Sequence, residues 1–175
     1  MKDVAILERL VASAGPEVQR HFMAACVAHV AHTFDRVVGL PPTVKDEVVE
    51  PTLALLNAAK APARGEIAAI LTAGERVAES LQEAGETDLQ SIVFACLSSL
   101  EIATGTPDPV RVVVNNLDET IRLCDPDGEA GCDEEFDWRE KSLETLRARS
   151  SRDAVDSLVA HESEWERRWR ADYNR

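Results

Sequence analysis

Cys26, His29 and His32 fall at i, i+3 and i+6 of an apolar stretch. Residues three apart share a helix face, so Cys26–His29 or His29–His32 could form two corners of a zinc or iron site. Ligands at that spacing spread over about a third of the helix circumference, and a fourth would have to come from elsewhere. No second pair of the HExxH kind accompanies them. Packing gives the simpler reading, with Cys26 in the core and both histidines at its border. No residue is therefore assigned as a metal ligand, and nothing in the chain calls for a cofactor.

Residues 125–137 hold seven acids and no base. Asp125, Asp127, Glu129 and Asp133 sit where a calcium loop places ligands 1, 3, 5 and 9. Ala130, however, stands at position 6 where the turn needs glycine, and Phe136 at position 12 where the bidentate glutamate belongs. The run then reads as a solvated acidic loop, about 125–135, turned by Pro126, Gly128 and Gly131. Cys124 and Cys132 flank it and could approach one another. With no CxxC spacing, the four cysteines read as thiols of a reducing compartment.

Glu79/Glu83 and Glu162/Glu166, both at i, i+4, read as exposed like-charge neighbours rather than acid–base pairs. His21 and His161 stand alone. GxSxG, GxGxxG and Walker sequences are absent. Trp165 and Trp169, among Arg167, Arg168 and Arg170, form the one aromatic–basic cluster. A terminal helix docking its tryptophans on the bundle is the plain reading; a partner contact is the functional one.

The elements that carry these residues are helical almost throughout. Val4, Leu7, Leu10, Val11 and Ala14 predict a short first helix stopped by Gly15. Pro16 opens the second, with Val18, Phe22, Cys26, Val30 and Phe34 facing inward, and Gly39 with Pro41–Pro42 closes it. Thr43 should cap the third, which Pro51 must kink or restart, having no N–H to give. The fourth runs from about 63 to 84, weakened locally by Gly74. Thr87 and Gln90 read as a capping box ahead of Leu89, Ile92, Val93, Cys96, Leu97 and Leu100, up to Gly105. Asp108–Pro109 opens the next helix, which buries Val113, Leu117, Ile121 and Cys124. The region from about 136 to 173 is one long helix, or two broken near Ser150–Ser151. The expected fold is all-α: a single domain over 1–175, a compact multi-helix bundle of seven or eight helices.

Hydrophobic residues make up 45% of the chain and aromatics only 5%, so the core must be built of Ala, Val, Leu and Ile. No apolar run is long enough to span a bilayer. The start MKDVAILERL is charged at 2, 3, 8 and 9 and does not read as a signal peptide. A cytoplasmic protein away from membranes is expected. The net charge of −13 is concentrated, with −7 in 125–137 and −6 in 61–124, while 138–175 is nearly neutral. Such a surface repels phosphate backbones, which excludes nucleic acid and favours a basic protein partner.

His21-Phe22-Met23-Ala24-Ala25-Cys26 resembles the opening motif of the YjaG-like bacterial proteins, domain of unknown function 416. In the same order follow Phe94-Ala95-Cys96-Leu97 and the acidic lead Asp133-Glu134-Glu135-Phe136-Asp137-Trp138. The resemblance spans about Val18 to Trp169 and implies a compact, all-helical cytoplasmic protein with no activity established for the family. The family's usual Cys-Glu-Arg after the first motif is Val27-Ala28-His29 here, so no functional residue carries over. In size and acidity the chain is also similar to small helical immunity proteins of bacterial toxin systems.

These readings converge on a non-catalytic module, immunity-type or accessory, that masks a basic protein. Asp125, Asp127, Glu129, Asp133, Glu134, Glu135 and Asp137 are its expected partner-binding residues, steering a cationic surface and speeding encounter. The alternatives are a metal-dependent bundle enzyme using Cys26, His29 and His32, and a structural homodimer, with which the leucine-rich faces are compatible.

Overall fold

The computed structural model describes residues 4–37, 40–56, 63–104, 109–125 and 127–173. Among them there is no strand, and the elements are α1 (Val4–Ala12), α2 (Pro16–Val37), α3 (Pro42–Val44), a π-helical turn (Lys45–Val49), α4 (Glu50–Leu56), α5 (Arg64–Ala84), α6 (Thr87–Thr104), α7 (Pro109–Cys124), α8 (Gly128–Ala148), α9 (Arg152–Val159) and α10 (Glu164–Tyr173). The stops expected at Gly39 and Gly105, the cap at Asp108, the turn at Pro126, and the side chains of His32, Phe34, Cys124 and Arg170 lie outside the described residues. No described helix is long and apolar enough to cross a membrane.

α2 is the axis. It packs against α1, α4, α6, α7, α8 and α9, and residues 21–31 are buried without interruption. The expected one-sided face is thus a helix buried all round. Ala24, Ala25, Ala28 and Ala31 let neighbours come close on sides where larger residues would hold them off. α6 and α7 form the most extensively packed pair, with Ile92, Val93, Cys96 and Leu100 set beside Val113, Val114, Leu117 and Ile121.

Two details of punctuation differ from the sequence pattern. Gly85, in the left-handed region at φ 76°, closes α5, with the Glu86 amide donating to the Leu81 carbonyl at 2.9 Å. α6 therefore begins at Thr87 itself, and Gln90 Nε2 donates to the Ala78 carbonyl at 3.3 Å rather than completing a capping box. Around Pro51 the helical run continues without a break from Pro42 to Leu56. A π turn precedes Pro51, in which the Glu50 amide reaches back to the Lys45 carbonyl, and this wider turn lies where proline lacks a donor. Gly74 is buried, and a Cβ there would lie 2.3 Å from Leu97 Cδ2, so it marks a close crossing of α5 and α6 as well as a weak helix position.

The largest correction concerns the acidic run. It is a loop only to Asp127; α8 starts at Gly128 and continues to Ala148. Carboxylates are favourable in the first turn of a helix, whose amides have no intrahelical acceptor. The C-terminal region is also cut twice rather than once. Ser151 caps α9, its hydroxyl accepting from the Ala154 amide at 3.2 Å. A second break at His161–Ser163 precedes α10, where the Glu166 carboxylate accepts the Ser163 amide at 2.7 Å. His21 Nδ1, 2.7 Å from Ser150 Oγ, ties α2 to the first of these breaks.

Gly131 allows the α7–α8–α10 corner to close: a Cβ on it would lie 2.5 Å from Asp125 Oδ2, 2.8 Å from Ile121 Cγ2 and 3.2 Å from Trp165 Cβ. Gly131→Ala should therefore cost about 1–3 kcal/mol through overpacking. Gly65→Ala, in a helical position with open space around it, should gain about 0.5–1 kcal/mol. Urea denaturation of the two variants checks both signs.

Candidate functional site

Cys132, Phe136, Arg139, Leu143 and Leu146 follow one another at alternating steps of four and three, the spacing of a core-facing stripe, and all are buried. Arg139 thus occupies a core position on α8. Glu135, one turn earlier, is equally withdrawn from water: both side chains have zero exposure. The guanidinium Nε stands 3.6 Å from Glu135 Oε1. On its other side Arg139 Nη1 donates to Asp118 Oδ1 of α7 at 2.6 Å.

Opposite, α2 supplies His29, also fully buried. Its Nδ1 lies 3.1 and 3.2 Å from the two Glu135 oxygens, and its Nε2 lies 2.9 Å from the carbonyl oxygen of His161 in the α9–α10 connection. The ring stacks on Trp138, with centroids 3.9 Å apart and planes 9° from parallel. The Trp165 indole N–H of α10 donates to Glu135 Oε2 at 3.2 Å. Four helices thereby meet at one carboxylate or at its immediate partners.

The electrostatics follow from burial and proximity. Burial alone would lower the His29 pKa, but the Glu135 carboxylate, its hydrogen bond and Glu166 together raise it above its ordinary value. Burial alone would raise Glu135; His29, its hydrogen bond and Arg139 outweigh this and hold the carboxyl at about 2. Arg139 is likewise kept charged, since Asp118 and Glu135 offset the burial that opposes it. Cys26 is fully buried and its thiol is pushed up to about 12, chiefly by desolvation, so it stays protonated and inert as a nucleophile.

A second carboxylate cluster holds α10 from outside. Arg168 straddles Asp125, with Nη2–Oδ2 at 2.6 Å and Nε–Oδ1 at 3.2 Å, and reaches Glu134 Oε1 with Nη1 at 2.9 Å. Glu134 Oε2 also accepts the Trp165 amide at 3.0 Å. The hydrogen bonds to Asp125 and Glu134 keep Arg168 protonated well above the ordinary arginine range. Trp165 is wholly buried and Trp169 nearly so, which is the docked terminal helix expected of that cluster.

The seven acids expected to bind a partner are thus divided by the fold. Glu135 is inside the core, Asp125 is buried beneath Arg168, and Glu134 is shared by Arg168 and α10. Glu129 pairs with Arg122 at 3.3 Å, Asp133 is half-buried, and Asp127 and Asp137 are exposed. They do not form one solvated loop. The Cys26–His29 metal edge is not assembled either, because both His29 nitrogens face other acceptors; among the described residues no cluster of three or more metal-ligating side chains occurs.

Asp118 and Arg139 carry much of this geometry without any signal singled out for them in the sequence, and Trp138 enters only through a resemblance. Glu166, expected as an exposed like-charge neighbour of Glu162, is instead buried, its carboxylate turned back to the Ser163 amide. The apolar stripe through 132, 136, 139, 143 and 146 was a usable signal for Arg139, masked once the segment up to 135 was read as loop. By contrast, Glu79 and Glu83 lie on the exposed face of α5, as their spacing as like-charge neighbours predicts. Glu75, Glu79 and Glu83 are all exposed there, as is Glu86 just beyond the helix end, and Glu79, Gln82 and Glu83 line an open surface groove. No family model, curated protein or solved structure matches the chain.

Glu135→Gln should cost about 3–5 kcal/mol, because it leaves His29 and Arg139 buried without their shared anion. The wild-type pair also sets the acid limb of stability. A carboxyl held at about 2 against 4.5 when unfolded contributes in full above 4.5 and loses that contribution as pH falls towards 2. Urea titrations between pH 2 and 6 should show this slope in the wild type and a shallower one in the variant.

Proposed function

We propose that this chain is a non-catalytic, cytoplasmic binding protein that receives a basic partner protein on the solvent face of α5, in an immunity-type or accessory role. The observation that carries the reading is the state of the Glu75, Glu79, Glu83 and Glu86 carboxylates. Glu75, Glu79 and Glu83 recur along one exposed stripe of the helix and Glu86 follows just beyond its end, and among the described residues no cation lies within ion-pair distance of them. The neighbouring Arg76 turns instead towards Glu47, 3.9 Å away. Unneutralised like charges on a helix face are mildly unfavourable in the free protein, and a cationic surface would relieve them while being steered to that face.

The acids of 125–137 fit this role less well, since Asp125, Glu134 and Glu135 already answer cations of their own chain. Free, buried thiols at Cys26, Cys96 and Cys132 suit a reducing compartment. Kinship with the YjaG-like proteins belongs to the same proposal. The segments that resemble that family, 21–26, 94–97 and 133–138, lie in α2, α6 and α8 and are largely buried, so they speak for shared packing rather than for a shared activity.

The test compares wild type, Glu75→Gln/Glu79→Gln/Glu83→Gln/Glu86→Gln and Asp127→Asn/Glu129→Gln as baits in native lysate at low and moderate salt. A basic protein should be held by wild type and by the Asp127/Glu129 variant, released as salt rises, and lost from the α5 variant. Its association rate with the α5 variant should fall about tenfold or more, with a flattened salt dependence. An unchanged rate on the α5 variant, or no basic partner at any salt, overturns the proposal.

A further inference from the structure

We propose that His29 is a pH-operated latch: as an imidazolium it ties α2 both to α8 and to the His161–Ser163 connection, and its deprotonation releases that connection while α10 stays docked.

The geometry sets the proton count. Nδ1 faces the Glu135 carboxylate at 3.1 Å and Nε2 faces the His161 carbonyl oxygen at 2.9 Å. Neither acceptor has a proton to donate, so both ring nitrogens must carry one, which only the imidazolium does. A neutral ring keeps a single N–H. The charged carboxylate is the stronger acceptor, so the remaining proton stays on Nδ1 and the bare Nε2 lone pair confronts the lone pairs of the His161 oxygen. That contact then changes from a hydrogen bond to a repulsion between lone pairs.

The charged groups around the ring are mostly anionic, with Arg139 the cation among them. Glu135 and Arg139 come from α8, Asp118 of α7 lies behind Arg139, Glu166 comes from α10, and Glu162 lies in the connection itself. Cys26, one turn earlier on α2, remains a neutral thiol. Glu135 and Glu166 hold the proton on His29 beyond the ordinary value of 6.5, so the latch is closed below 6.5. Its contribution to stability is complete there and is lost as pH rises through the folded value.

The consequences divide along the chain. The connection is held at His161 by His29 and at Ser163 by Glu166. α10 is held separately, by Arg168 on Asp125 and Glu134 and by two buried tryptophans. Opening is therefore local, uncovering the His29–Glu135 pair without unfolding the bundle.

Nitrogen-15 NMR of histidine-labelled protein between pH 6 and 10 tests this directly. At pH 6.5 both His29 ring nitrogens should show the protonated shift, and one should lose its proton on the alkaline side. Across that transition, hydrogen-exchange protection at the His161 and Ser163 amides should fall about tenfold, while amides in the middle of α2 and α6 keep theirs. His29→Gln should abolish the transition at 161–163; if that variant does not fold, the wild-type titration decides alone. A bare ring nitrogen at pH 6.5, or a His29 titration that leaves protection at 161–163 unchanged, overturns the proposal.

Discussion

A carboxylate with no access to water must be balanced by charge inside the fold, and Glu135 imposes that constraint on everything around it. Two of its partners come from other elements, His29 on α2 and Trp165 on α10, and the third, Arg139, from the next turn of its own helix. Arg139 in turn requires Asp118 of α7. Two cations and two anions then offset one another in a region largely withdrawn from solvent. The arrangement is not saturated, since Arg139 Nη2 and Ser142 Oγ, one turn apart on α8, meet no described hydrogen-bond partner. Such a set contributes little net stability compared with a well-packed apolar substitute. What it does is fix register. A core of Ala, Val, Leu and Ile offers many near-equivalent ways for helices to slide past one another, whereas moving α8 by one turn would separate Glu135 from both His29 and Trp165.

The same constraint separates net charge from available charge. By sequence, 125–137 is the most acidic stretch of the chain. In the fold four of its carboxylates, those of Asp125, Glu129, Glu134 and Glu135, are turned towards Arg168, Arg122, Arg139 and His29. Arg168 answers two acids at once because its planar fork can satisfy Asp125 with two donors and still reach Glu134 with the third. On α5 a stripe of acids has no such counterpart among the described residues, although the sequence density is lower there, because the nearest arginine turns elsewhere. Charge that serves recognition is found by subtracting the charge the fold uses, and that subtraction needs tertiary structure.

Much of the architecture was legible because it is written in local chemistry. Pro16 and Pro109 open helices where their missing N–H costs nothing, Gly15 and Ser151 separate elements, and the two tryptophans of the last helix mark its buried side. The errors share a cause, which is that one residue type serves two purposes. Gly128 and Gly131 read as turn formers, yet they open α8, and Gly131 is small so that Asp125, Ile121 and Trp165 can approach. Thr87 is a good cap, but the left-handed turn at Gly85 leaves α6 to begin at Thr87 itself. The site was less legible still. His29 and Glu135 are 106 residues apart, and a contact at that separation leaves no periodic trace in either helix.

The histidine itself shows where arguments from residue type and spacing run out. Cys26 and His29 have the spacing of a metal edge, and nothing in either residue distinguishes a ligand from a clasp. The deciding information is what each ring nitrogen faces. A metal needs a lone pair on one nitrogen, with the other typically donating to an acceptor. Here both nitrogens face acceptors, so the ring has no lone pair to give while those contacts last. The carboxylate that would orient a ligating histidine therefore keeps this one protonated, because the second contact is a carbonyl oxygen rather than an ion. A change in one neighbour, at the connection between the last two helices, is enough to turn a ligand geometry into a structural cation.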